Sequence, residues 1–356
     1  MKSPYAEYEP LPIEKLKTPY REILIRAVAN VLASPIGKQT FAQIVDGLPL
    51  SDVAWDSFSN CLCSLHPLLV EHKELCPGVA EEAQKLCSSF DTSTLLMSSK
   101  LLHDYESAPL GSPSFSTRLI ELVARAIHQI ASWLYTQDTS RHKDDALGRW
   151  RPSEERKRLY PATFPTTLFC HPWYIDYDQY PEGIADSVGY WAEGRILGGV
   201  VLFDRRNPES VKDAAPDAIY VHADRREVIY RICRILDSQT QELAEFLLSD
   251  TTLPQHCPLP ILPSEANRQR VDPEQAIKKT GIYRDPWERR LRPLAAGDRR
   301  LKDVIDLFNY LSKEDYREAK QRAYKERGKR QEREWELGAQ REGVDVLEYQ
   351  QPRSHG

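Results

Sequence analysis

The sequence predicts an α+β protein, and three features carry that prediction. Apolar residues recur at helical spacing through residues 1–140. Short β-branched and aromatic runs bounded by turn residues follow. A strongly charged stretch with helical charge spacing lies toward the end. The chain therefore divides into a helical N-terminal region (1–140), a central α+β core (141–265) with a mixed or antiparallel sheet and flanking helices, and a peripheral C-terminal segment (266–356) with a charged helix.

Thr18 followed by Pro19 supplies an oxygen cap and a first-turn proline for a helix whose apolar face is Ile23, Leu24, Ala27, Val28, Val31 and Leu32. One or two shorter helices are expected between Cys61 and Tyr105. The strongest helix runs from Ser116 to Tyr135, where Leu119, Leu122, Val123, Ala126, Ile127, Ile130 and Leu134 share a face and Pro113 stops extension upstream. Residues 139–167, rich in charge and proline, read as a linker. Strands are expected over Ile196–Asp204, Ile219–His222 and Val228–Leu236. The last also fits a helix, and its β-branched and aromatic content favours strand. Ser238 with Gln241 forms a capping box for a helix carrying Leu243, Phe246 and Leu247. Asp285-Pro286-Trp287-Glu288 should open at least one helical turn. From Ser312 to Leu337, opposite charges four apart (Glu318–Arg322, Arg322–Glu326, Glu326–Arg330, Arg330–Glu334) predict one long exposed helix.

Composition narrows the function classes. The chain has 356 residues, 41% of them hydrophobic, 25 prolines and a net charge of −5. That balance argues against a surface that coats nucleic acid all over, while leaving local basic patches open. The apolar run Ile23–Ala33 is too short to span a bilayer and is broken by Arg26 and Asn30. No secretory or lipidation signal is legible, and seven cysteines without disulfide rhythm fit a reducing compartment. A cytoplasmic protein without a membrane or DNA partner is expected.

The densest chemistry lies between Cys170 and Arg206. If Pro181–Glu193 is a short helix, Ile184, Val188 and Trp191 share its buried face. Glu182, Asp186, Tyr190 and Glu193 then line another, weakened by Gly183 and Gly189. An acidic stripe with a phenol, flanked by Trp173, Tyr177 and Asp178, suits a guanidinium or ammonium group, since carboxylates accept from the cation and rings offer their negative faces. The same residues equally fit a segment that caps its own backbone and packs on the sheet. A hydrolase using Asp176, Asp178 and Glu182 is a weaker alternative, their spacing matching no calcium loop.

Other features point to structure. Gly198-Gly199 within a strand indicates close packing or a bulge, because no helix N-terminus follows to bind phosphate. Cys61, Cys63, His66, His72, Cys76 and Cys87 lack the spacing of a zinc motif and fall in expected amphipathic helices, so no metal site is read there. His128 reads as a satisfied structural histidine, and His171, held extended before Pro172, as a possible base beside the acidic stripe. No cofactor fingerprint is present. Arginines gather at Arg205, Arg206, Arg225, Arg226, Arg231 and Arg234, around both ends of the expected sheet, where they would suit RNA phosphates. Those of the tail are matched by glutamates.

The strings YPEGIADSVGYWAEGRILGGVVLFDRR, HADRREVIYRI and TGIYRDPWERR resemble a family of filamentous-fungal proteins over roughly residues 115–290. Within that family the chain resembles the arginine-containing cyclodipeptide synthases, which join arginine delivered on its tRNA to a second amino acid and release a diketopiperazine for secondary metabolism. The resemblance implies aminoacyl-tRNA as partner and no cofactor. It implies Tyr190, Glu193 and Asp186 as catalytic, with Tyr190 relaying a proton and the carboxylates holding the ammonium or guanidinium. Trp173, Tyr177, Asp178, Glu182 and Trp191 would line the substrate pocket, and Arg205, Arg206, Arg225 and Arg226 would meet tRNA. Two departures stand out. The bacterial H-x-x-x-G-x-S segment has no counterpart, and Asp144-Asp145 is followed by Ala-Leu-Gly instead of completing the DDXXE pattern of the fungal enzymes. A non-catalytic interaction protein, its aromatic segment serving as core or partner groove, is the alternative of a different class.

Overall fold

The computed structural model describes residues 9–57, 66–155, 165–226, 228–250, 257–273 and 275–290, with scattered positions between 312 and 325. The chain divides into two compact units, Met1–Leu291 and Arg292–Gly356. In the second, Arg317 pairs with Glu314 at 2.9 Å. The long charged helix expected over Ser312–Leu337 lies almost wholly outside the described residues, as do Cys61 and Cys63.

The first unit is α+β. Its described helices are α1 (Thr18–Ala33), α2 (Pro35–Asp46), α3 (Ser51–Trp55), α4 (Leu68–Glu71), α5 (Val79–Ser89), α6 (Ser99–Ser107), α7 (Pro113–Thr136), α8 (Ala146–Arg149), α9 (Ile184–Ile196), α10 (Asp237–Leu248) and α11 (Ile277–Thr280). A small sheet pairs β1 (Pro10–Pro12) with β2 (Leu96–Ser98). The main sheet contains β3 (Val200–Asp204), β4 (Ile219–His222), β5 (Ile232–Arg234), β6 (Arg270–Val271) and β7 (Ile282–Tyr283), in the order β6-β5-β4-β3-β7. Every neighbouring pair is antiparallel.

Helix starts differ from expectation in instructive ways. Lys17, not Thr18, occupies the cap position of α1 and makes no side-chain cap bond, so Pro19 alone marks the start. In α7, Pro113 is the first helical residue and Ser112 caps it, accepting the Phe115 N–H at 3.1 Å. The helix therefore begins three residues earlier than Ser116, because proline is preorganised for the first turn. For α10 the reciprocal bond is shifted: the Leu236 N–H donates to Gln239 Oε1 at 2.9 Å. The 285–288 segment is a turn, not a helix. Glu288 folds back so that Oε2 accepts the N–H groups of Arg284 and Asp285 at 2.9 and 3.1 Å. Of Val228–Leu236, only Ile232–Arg234 pairs as strand.

The main sheet is buried on both faces. Val201, Phe203, Ile219 and Val221 belong to the core shared with α1, α7 and α10. Val200, Leu202, Tyr220, Ile232 and Ile282 pack with Tyr174, Tyr180 and Tyr190 on the other side. Two-sided burial explains why Val200–Phe203 is continuously apolar instead of alternating. The first core draws on residues from Ile13 to Ile261 and the second on residues from Tyr174 to Ile282. Gly198 and Gly199 serve close packing, as expected. Gly198 sits at φ +98°, where an added Cβ would stand 2.1 Å from the Ile261 carbonyl oxygen, and on Gly199 it would meet the His222 backbone at 2.8 Å.

Candidate functional site

Two buried helices carry polar stripes that face each other. On α7, Arg118, Glu121, Arg125 and His128 recur at intervals of three, four and three, so they form one line. On α9, Asp186, Tyr190 and Glu193 recur at four and three. Helix α9 is buried on every side from Ala185 to Ile196, which requires its polar groups to find partners within the protein. Gly189 permits the approach: a Cβ there would stand 2.6 Å from the His128 ring.

His128 bridges the α9 carboxylates. Its Nδ1 lies 2.8 Å from Glu193 Oε1 and its Nε2 2.9 Å from Asp186 Oδ1. Burial opposes charge on the ring, but hydrogen bonds to the two carboxylates and their charges outweigh it, and the imidazole pKa is raised. Both nitrogens then donate, as an imidazolium must. Glu193 Oε2 accepts from Arg284 Nη1 at 2.7 Å, and Arg284 Nε donates to Asp285 Oδ2 at 3.1 Å. Asp285 Oδ1 accepts from Arg125 at 3.0 Å. Glu121 closes the line, accepting from Arg118 at 2.8 Å and Arg205 at 2.5 Å. Burial pushes the carboxyl of Glu193 up, yet Arg284 and His128 hold it below its ordinary value. Burial likewise raises Glu121 and Asp285, and their arginines more than offset it, bringing each down to about 2. The result is a seam of alternating charges through the core.

The three residues expected to be catalytic are thus brought together, Glu193 being 0%, Tyr190 2% and Asp186 8% exposed. The Tyr190 ring meets His128 edge-on at 4.6 Å, stacks on Tyr174 at 4.6 Å and lies under the Arg284 guanidinium at 5.4 Å. Burial pushes its phenol well above the ordinary value. The acidic, aromatic cradle anticipated for a cationic guest holds a guanidinium in this structure, and that guanidinium is the chain's own Arg284.

Of the residues expected to line the substrate pocket, Trp173 packs against the cluster that holds Tyr174 and Tyr190, and the others lie apart. Trp191 packs edge-on against Phe169 at 4.7 Å, in the other core. Trp173 lies beside His222, with ring centres 5.6 Å apart. Tyr177 and Glu182 are exposed, and Asp178 ion-pairs with Arg290 at the surface. Asp176, 1% exposed, accepts the Arg290 N–H at 2.9 Å, so Asp176, Asp178 and Glu182 do not converge on a common point. His171 turns away from the stripe. Its Nε2 donates to the His222 carbonyl at 3.0 Å, and burial lowers its pKa.

Of the arginines assigned to tRNA, three are engaged by carboxylates of this chain: Arg205 by Glu121, Arg206 by Asp204 at 2.7 Å and Arg225 by Asp56 at 2.8 Å. Arg226 is exposed, its guanidinium over the Trp55 ring at 5.6 Å. A cavity of about 180 Å³ lies elsewhere, lined by His66, His142, Lys143, Arg151 and Leu168 among others, with none of the expected site residues in its wall.

Sequence reasoning missed Glu121, Arg125, Arg284 and Asp285. The three-four-three spacing of polar residues inside the apolar pattern of α7 was the signal available for the first two. No family model matches this chain, and no curated protein or solved structure does either.

Proposed function

We propose that this chain is an aminoacyl-tRNA-dependent enzyme acting on arginine, of the kind represented by the arginine-containing cyclodipeptide synthases it resembles. One observation carries the reading. Glu193, flanked by Asp186 and by the Tyr190 and Tyr174 rings, grips a guanidinium through a charge-assisted bond of 2.7 Å and a ring face. This is the recognition chemistry an arginyl side chain requires. On this reading Arg284 stands where the substrate's guanidinium binds, and the 284–290 segment withdraws when arginyl-tRNA arrives. The α-amine of one aminoacyl ester then attacks the carbonyl of the other, releasing a tRNA 3′-hydroxyl, and the second amine closes the ring with release of the second tRNA. Arg226, exposed after β4, is the arginine of the expected set best placed to meet phosphate.

A second reading has its own support. The seam's groups are paired with one another and buried, and both His128 nitrogens are occupied. That arrangement suits a clamp holding the 284–290 segment to α7 and α9 in a non-catalytic interaction protein.

Expression of the full chain in a heterologous host, with mass spectrometry of extracts for cyclo-arginyl dipeptides, separates the two. The first reading expects such a product, and expects it to vanish in Tyr190→Phe at unchanged folding. Well-folded protein that yields none supports the clamp and overturns the enzyme.

A further inference from the structure

Away from the α7–α9 seam, the helical part of the fold brings three buried metal-binding side chains together beside a half-buried cysteine. Asp46 is the last residue of α2, where Gly47 turns the chain at φ +99°. His72 and Cys76 lie in the loop between α4 and α5, off the amphipathic helices the sequence suggested. His142 comes from the loop after α7. These stretches are tied together through the backbone. The Cys76 N–H donates to Asp46 Oδ2 at 3.2 Å and the Arg141 N–H to the Asp46 carbonyl at 2.9 Å. The side chains of Asp46, His72 and His142 are 0%, 4% and 8% exposed.

Their donor atoms all lie within 4.8 Å of one another. His72 Nε2 is 3.2 Å from Asp46 Oδ2, and His142 Nε2 is 3.7 Å from Asp46 Oδ1. Cys76 Sγ stands 3.5 Å from His142 Nε2. Two donors on a tetrahedral zinc, with bonds of about 2.0–2.3 Å, are separated by roughly 3.3–3.7 Å. The spacings of 3.2, 3.7 and 3.5 Å fall at or near that range.

Hydrogen bonding alone does not explain the cluster. Asp46 Oδ1 is buried without a hydrogen-bond partner, and His72 Nε2, although 3.2 Å from Asp46 Oδ2, stands outside hydrogen-bond geometry with it. His142 Nδ1 is engaged by the Asp145 carboxylate at 2.5 Å, which leaves Nε2 as the acceptor facing inward. A carboxylate behind a histidine in this way is the usual second layer of a metal site, fixing tautomer and ring direction.

We propose that Asp46, His72 and His142, with Cys76 as the fourth donor, bind one zinc ion that fastens the end of α2 to the α4–α5 loop and the loop after α7. One carboxylate and one thiolate neutralise the dication, so the shell can remain buried. Four protein donors leave no open position for a reacting water, which makes the site structural. Of the described members of the cysteine and histidine set singled out in the sequence, His72 and Cys76 take part. Asp46 and His142 come from distant positions that no short motif could join.

Full-length protein purified from zinc-supplemented cells and dialysed against metal-free buffer is expected to retain about one zinc per chain by elemental mass spectrometry. Folded Asp46→Asn and His72→Gln variants should retain less than about a tenth of that, whereas His103→Gln, at a distant exposed position, should retain all of it. Cobalt(II) in place of zinc should give the intense visible bands of a tetrahedral site with a near-ultraviolet thiolate charge-transfer band, the latter lost in Cys76→Ser. A ligand variant that fails to fold would also lack metal, so the wild-type protein decides. No bound zinc after reconstitution, with a melting temperature indifferent to chelator, overturns the site. Zinc that persists in the folded Asp46→Asn and His72→Gln variants places the metal elsewhere and overturns it equally. A cobalt spectrum without charge transfer removes Cys76 from the shell.

Discussion

Glu193 and Arg284 stand ninety-one positions apart in sequence and meet at 2.7 Å, with 0% and 2% of their surfaces exposed. The pair ties α9 to the segment after β7, and through His128 and Asp285 it is continuous with the stripe on α7. A buried ion pair is costly to desolvate, and its removal costs most when only one partner goes.

Glu193→Gln is therefore expected to destabilise the first unit by about 3 kcal/mol, because Arg284 and His128 each lose one of two carboxylate partners and keep only Asp285 and Asp186. Glu193→Gln combined with Arg284→Met should cost much less than the two single changes added. Urea denaturation of all four proteins checks this. Simple additivity would mean that the pair is not coupled.

Gly189→Ala tests the approach of the two helices. Alanine is the better helix former by about 1 kcal/mol, so on propensity alone the change would stabilise α9. With a Cβ placed 2.6 Å from the His128 ring, it should instead destabilise by about 2 kcal/mol or more. The His128 imidazole resonances should move in the NMR spectrum. A stabilised variant with an unmoved His128 would contradict the packing described.

Acid should unfold the seam in a defined window. Glu121 and Asp285 have folded-state pKa values held down to about 2, against ordinary values of 4.5 and 3.8. A depressed carboxyl contributes stability that is present above its unfolded pKa and lost as pH falls through its folded one. Stability should thus decline between about pH 4.5 and pH 2, with Glu121 alone contributing on the order of 3 kcal/mol. In Glu121→Gln the slope of unfolding free energy against pH in that range should flatten. An unchanged slope would show that Glu121 is not the titrating group.

Asn30, which interrupts the apolar face of α1, has a long-range task. Its Nδ2 donates to the carbonyls of Phe246, Leu247 and Ser249 at 3.2, 3.3 and 3.0 Å, satisfying the open end of α10. Asn30→Leu should cost about 1–3 kcal/mol by removing the donor to the Leu247 and Ser249 carbonyls, the Phe246 carbonyl keeping the Ser249 N–H. Hydrogen exchange should quicken in the last turn of α10 ahead of the rest. Uniform exchange across the helix would count against a local capping role.

Periodicity and proline placement announced α1, α7, β3 and β4 from sequence alone, because those signals are local and each element buries a face its own residues mark. The helix at α9 and the strand at β5 stayed open and took other bounds, Ile184–Ile196 and Ile232–Arg234. The same locality drew Asp186, Tyr190 and Glu193 onto one line of α9. What that line faces was settled only by the packing of α7 and the return of Arg284, which is why an expected open cradle proved to be an internally filled seam. Asp46 and His142, like Asn30 and the carbonyls it caps, meet across 96 to 219 positions, and no spacing rule reaches that far. Local sequence sets which face of an element is polar, while the tertiary structure sets which charge it must answer, since buried ions are tolerated only where an opposite charge arrives from elsewhere in the chain.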